Sequence, residues 1–108
     1  MYESKRDRYD ALVAKCPHIE RKGKTMPYTS ANGHMFSLLN KAGEVGIRFS
    51  KEVQQKYLEE FDTTLFHSYN AVMRGYILIP ERMLAEDLDR VAELLNEGYE
   101  YVMTLDPK

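Results

Sequence analysis

The side chains able to do chemistry are scattered along this sequence rather than gathered. The three histidines, His18, His34 and His67, lie far apart, and none has a second ligating residue at the spacing a metal site uses. No metal centre is expected, and His34, beside a strand start, reads as a surface or edge residue. Cys16 is the only cysteine, so no intrachain disulfide is possible. It ends an amphipathic helix on the apolar stripe, where a small buried hydrophobe belongs, and no neighbour identifies the base a nucleophilic thiol needs. The glycines never form a phosphate-cradling loop. Ser4, Ser30, Ser37, Ser50 and Ser68 lack nucleophile-elbow surroundings. Glu59, Glu60 and Asp62, like Glu86, Asp87 and Asp89, have the residue types of an acid–base pair but read as solvated helix surface. An enzyme is therefore not expected, nor a cofactor.

Two other sets point to binding. Lys5, Arg6 and Arg8 share the first helix, and Arg21, Lys22 and Lys24 surround a turn followed by Tyr28. Cations neutralise phosphates and an aromatic ring stacks on bases, so this set fits a nucleic-acid surface. Glu3, Asp7 and Glu20 are interspersed, and a solvated charged surface is the plainer reading. The chain also has eight tyrosines, a residue favoured at protein contacts. Tyr99 and Tyr101 fall on different sides of a helix, so both cannot face one core, and one is left for a protein partner.

The elements that must position these residues follow from hydrophobic periodicity. Tyr2, Tyr9, Leu12, Val13 and Cys16 form one helical stripe, ended near Lys15 by Pro17. A short strand is expected on either side of Gly23. His34–Asn40 and Val45–Phe49 read as a hairpin around Lys41–Glu44, with Val45, Ile47 and Phe49 on the buried face. Ser50 is a natural N-cap for a helix carrying Val53, Tyr57 and Phe61. Leu65–Tyr69 and Arg74–Ile79 read as strands, the second closed by Pro80. From Glu81, Leu84, Leu88, Val91, Ala92 and Leu95 make a helical stripe that continues at Tyr99 and Val102. Gly98 is then either a C-cap or an interior glycine. The expected fold class is α+β, an antiparallel sheet with three main helices packed mainly on one face.

Length and composition agree with one domain over residues 1–108, 44% hydrophobic and 30% charged. No apolar run approaches the roughly 20 residues of a membrane span, and no apolar segment follows the charged first residues. A cytoplasmic protein without membrane contact is the expectation. The net charge of −2 hides an asymmetry: residues 1–54 hold ten Lys+Arg against six Asp+Glu, and residues 55–108 hold five against eleven.

Several short motifs resemble the N-terminal domain of the bacterial TfoX/Sxy family. They are Lys24-Thr25-Met26, Gly33-His34-Met35-Phe36, Gly46-Ile47-Arg48-Phe49, and Met73-Arg74-Gly75-Tyr76 leading to Ile79-Pro80. The ending, Gly98-Tyr99-Glu100-Tyr101 with Leu105-Asp106-Pro107-Lys108, is similar to that of short stand-alone members. The MmcQ/YjbR-like fold is a related alternative, similar in the hairpin and last helix. Where the family has a Met-Phe-Gly-Gly turn, this chain reads Met26-Pro27-Tyr28-Thr29. The resemblance implies a non-enzymatic regulatory module that binds another protein, in the setting of competence and transcription control. The founding members work with the cyclic-AMP receptor protein and carry a second domain not seen in this sequence. A second copy of the chain is one candidate partner. The alternatives are a nucleic-acid binder using residues 5–8 and 21–24, and a small-ligand binder or enzyme of unknown reaction.

Overall fold

Strand alternation and helix-capping chemistry combine in a six-stranded antiparallel sheet with four helices. The computed structural model describes residues 2–24, 26–68 and 71–107. In chain order the elements are α1 (Tyr2–Ala14), β1 (Arg21–Lys22), β2 (Tyr28–Ala31), β3 (His34–Leu39), β4 (Val45–Arg48), α2 (Lys51–Glu60), β5 (Leu65–Ser68), β6 (Ala71–Leu78), α3 (Glu81–Glu86) and α4 (Leu88–Met103). The strands run in the order β1-β2-β3-β4-β6-β5. Every neighbouring pair is antiparallel. Tyr69, read as the end of a strand, and the side chain of Tyr2 lie outside the described residues.

The hairpin forms in the expected register. Ser37 pairs with Ile47 and Leu39 with Val45, so Val45, Ile47 and Phe49 enter the core under the helices. Asn40 shapes the turn: its Oδ1 accepts the Glu44 N–H at 2.9 Å, while Gly43 takes a φ of 82° that favours glycine. Ser50 caps α2 by accepting the Val53 N–H at 3.4 Å.

Two expectations are corrected, and of the two readings of Gly98 the interior one holds. The last helix is two: Asp87, at φ −142° and ψ 49°, breaks it, and its carbonyl accepts the Arg90 and Val91 N–H groups that start α4. Asp readily leaves the helical backbone region, and periodicity alone does not register that. The strand expected from Arg74 begins three residues earlier, at Ala71. Gly98 is no C-cap; it is buried within α4. A Cβ there would lie 2.9 Å from the Arg48 carbonyl oxygen and 3.0 Å from Ile47 Cγ2, so glycine lets α4 rest directly on β4.

The helices pack on one side of the sheet. There α1, α2, α3 and α4 close a continuous core with Phe36, Leu39, Ile47, Ile77 and their neighbours. The other side, the open side, has no helix among the described residues. Its buried hydrophobic cluster is Leu38, Phe66 and Tyr76, with Met26, Tyr28, Met35, Met73 and Leu78 half-buried around them.

Candidate functional site

The open side is shaped by two departures from strand alternation. Between β2 and β3 the register slips, from Thr29 opposite Ser37 to Ser30 opposite Met35. Phe36 is thus an extra residue, and it turns to the helix side, where its ring lies 5.9 Å from that of Tyr99. Met35 and Leu38 are left together on the open side. In β6, Gly75 adopts a φ of 95°, and the β5 pairing jumps from Leu65 opposite Ile77 to His67 opposite Val72. Met73 consequently shares the open side with Tyr76 and Leu78.

These two bulges bring Met35 and Met73 to the side where Met26 also lies. Met26, Met35 and Met73, with Tyr28 and Leu38, line an open groove of about 470 Å³. Ser68 and Ala71, from the β5–β6 hairpin, complete its wall. A cavity of about 690 Å³, less apolar than the groove, adjoins it, sharing Met26 and Ser68 and adding Asn40, Lys41, Glu44 and His67. Asn40 Nδ2 donates to the His67 carbonyl at 2.9 Å and to Glu44 Oε1 at 3.0 Å, tying the β3–β4 turn to β5.

The floor of this region is closely packed. Phe66 lies on Gly46 so closely that a Cβ there would come within 2.4–2.7 Å of its ring. The Tyr76 hydroxyl crosses β4 to donate to the Met35 carbonyl at 2.7 Å. Burial pushes the Tyr76 phenol up to about 12, against the opposing pull of the Arg48 cation. One group is left over: Ser68 is 5% exposed, and its Oγ has no hydrogen-bond partner among the described residues. An orphaned buried hydroxyl costs about 1–3 kcal/mol and is uncommon in a finished core.

The basic set read from the sequence does not converge. Arg8 makes a two-pronged ion pair with Glu81 of α3, at 2.8 and 2.9 Å. Arg21 pairs with Asp10 at 2.9 Å and also donates to the Gly23 carbonyl. The Lys5 stem packs on Gly43, and Lys22 donates to Ser30 Oγ at 3.2 Å. Arg6 is half-exposed and Lys24 exposed. Helix α1 belongs to the helix side while Tyr28 faces the open side, so Lys5, Arg6 and Arg8 form no common surface with Tyr28.

Tyr99 and Tyr101, expected to face apart, both pack against the helix-side core. Tyr99 meets His18 and Phe36 edge-on, and the Arg48 guanidinium lies 5.7 Å above the Tyr101 ring. His34 is buried rather than surface-lying, with Nε2 2.7 Å from the Asp106 carbonyl oxygen. Cys16 is buried, its Sγ 3.5 Å from the Ala92 carbonyl oxygen, and burial pushes its thiol up. Of the carboxylate sets, Glu59, Glu60, Glu86 and Asp89 lie on helices and Asp62 and Asp87 just outside them; Glu60 is 3.9 Å from Arg90, and Asp89 is 2.7 Å from Lys15.

Among the described residues no three His, Cys, Asp or Glu side chains are grouped to hold a metal, and no helix is long and apolar enough to cross a membrane. The open side presents unbranched apolar side chains beside hydrogen-bonding groups. Sequence reasoning passed over Met26, Met35, Met73 and Ser68; the signal was Gly75 inside a strand pattern, a mark of a bulge. No family model, no curated protein and no solved structure matches the chain.

Proposed function

We propose that the chain is a non-enzymatic protein-interaction module of the TfoX N-terminal type, cytoplasmic and serving transcription control, which binds its partner on the open side of the sheet. The observation that carries the binding reading is the groove lined by Met26, Met35 and Met73, in a region no helix covers. Unbranched thioether side chains adapt to varied apolar surfaces and are over-used at binding faces. The family part of the proposal rests on the sequence motifs, several of which fall in β3, β4 and β6.

Capture from cell lysate, with and without nuclease, tests the reading. The wild-type chain should retain a protein after nuclease treatment, and Met73→Asp should lose it without a large drop in melting temperature. Retention unaffected by Met73→Asp would remove the open side from the function.

Nucleic-acid binding is the second reading, favoured by the exposed Lys22 and Lys24 beside Tyr28. It predicts nuclease-sensitive capture. Because Arg21 is already held by Asp10, Lys22→Ala with Lys24→Ala should then lower the logarithmic salt slope by about two.

A further inference from the structure

We infer that the open-side groove receives an extended acidic segment of another protein, its apolar side chains seated among Met26, Met35 and Met73; this rests on the interaction reading above. Charge is layered in this fold. Among the described residues the six strands carry four Lys/Arg and no Asp or Glu. The four helices carry twelve Asp/Glu against seven Lys/Arg. Of the four strand cations, Arg21 is paired with Asp10 of α1 and Arg48 lies over Tyr101 of α4, while Lys22 and Arg74 are exposed.

The groove itself is uncharged, but cations stand close to it. Lys41 lines the adjoining cavity, Lys24 stands exposed two residues before Met26, and Arg74 is the exposed neighbour of Met73. None of the three is in an ion pair among the described residues. Among the described residues the one carboxylate lining either cavity, Glu44 of the adjoining one, accepts a hydrogen bond from Asn40. A segment carrying Asp or Glu between apolar residues meets complementary potential there, which speeds encounter and excludes basic competitors.

Side-chain hydrogen-bonding capacity favours an extended segment, whose own main-chain N–H and C=O groups need partners. Met73 and Arg74 belong to β6, yet neither is paired in the β4 or the β5 ladder. They fall in the bulge of a strand that lies between β4 and β5. Ser68, the orphaned hydroxyl of the shared wall, supplies one group for a backbone partner. Thioethers outnumber the single aromatic, Tyr28, which suits aliphatic side chains better than stacked bases.

The test uses protein labelled at its methionine methyl carbons, because Met83 in the core and Met103 on α4 act as internal controls. The probes are a short blocked peptide alternating Glu with Leu, Met and Phe, the same peptide with Lys for Glu, and a short oligothymidylate. The acidic peptide should shift the methyl signals of Met26, Met35 and Met73 and leave Met83 and Met103 in place. High salt should weaken it, and Lys24→Glu with Lys41→Glu should weaken it about tenfold. Equal or tighter binding of the Lys peptide in the same groove would overturn the acidic assignment while leaving the interaction reading intact. Shifts produced by the oligothymidylate alone would overturn both. Concentration-dependent shifts without any probe, matched by dimer in sedimentation, would make the occupant a second copy and also overturn the proposal. Met73→Glu, half-exposed in the wild type, should abolish the peptide shifts with the Met83 signal unmoved, which separates lost binding from lost fold.

Discussion

The two sides of this one sheet are built from the same strands but from different side chains. On the helix side Phe36, Leu39, Ile47 and Ile77 are fully buried, and most are branched or aromatic, with few rotamers to lose. On the open side the half-buried positions include Met26, Met35 and Met73, each with three rotatable bonds. The contrast separates two tasks. Fixed shapes define the fold where helices cover them, and adaptable shapes remain where something else must dock.

Truncation on each side is the strongest way to break this comparison. Ile47→Ala should cost about 2–5 kcal/mol in urea unfolding, whereas Met73→Ala should cost less than about 1 kcal/mol. Equal losses would mean the open side is as much a part of the stable core as the helix side.

Alkaline titration probes both sides. Burial raises the Tyr76 phenol to about 12 and pushes Tyr9 up further still. The folded state therefore favours the neutral phenols, so their contribution is complete below about pH 10 and is lost as pH rises toward 12. Tyr76 alone should contribute about 1.4 kcal/mol of loss per pH unit in that window. The urea midpoint of Tyr76→Phe should fall less steeply with pH than that of the wild type; an unchanged slope would mean that Tyr76 ionises as freely folded as unfolded.

Gly98→Ala sharpens the helix side. Helix propensity favours alanine by about 1 kcal/mol, but the contact with Arg48 and Ile47 leaves no room for a methyl. A net loss of about 1–3 kcal/mol is expected in thermal melting, and a gain would mean that α4 can lift from β4. The smallest effect belongs to the open side: Ser68→Ala should raise stability by about 0.5–1 kcal/mol, since it deletes a hydroxyl lacking a partner. A loss would reveal a bond to that hydroxyl.

Much of the fold was legible because its signals are local. The Lys41–Glu44 turn, the Ser50 cap and the alternation of Val45, Ile47 and Phe49 each depend on residues close in the chain. The break at Asp87 was hidden, since Leu84 and Leu88 keep helical spacing across it. Gly98 was ambiguous because its reason is β4, some fifty residues earlier in the chain. The candidate site was the least legible part. A bulge reverses the side on which later residues fall, so Met35 and Met73 cannot be assigned to one face until the slips at Phe36 and Gly75 are known. The basic residues were visible by type, but the partners of Arg8 and Arg21, Glu81 and Asp10, are set by tertiary packing.

The position of α4 has a consequence for how the protein is made. This helix covers β2, β3 and β4 and touches α1, yet it follows all six strands in the chain. A ribosome releases the apolar helix side of the sheet well before it releases the helix that shields it. Early-made strands must wait for a late-made partner, because a core resting on contacts distant in sequence closes only once both halves have emerged. Until then Phe36 and Ile47 have no cover from α4, and the emerging chain is at its most vulnerable to aggregation during that interval.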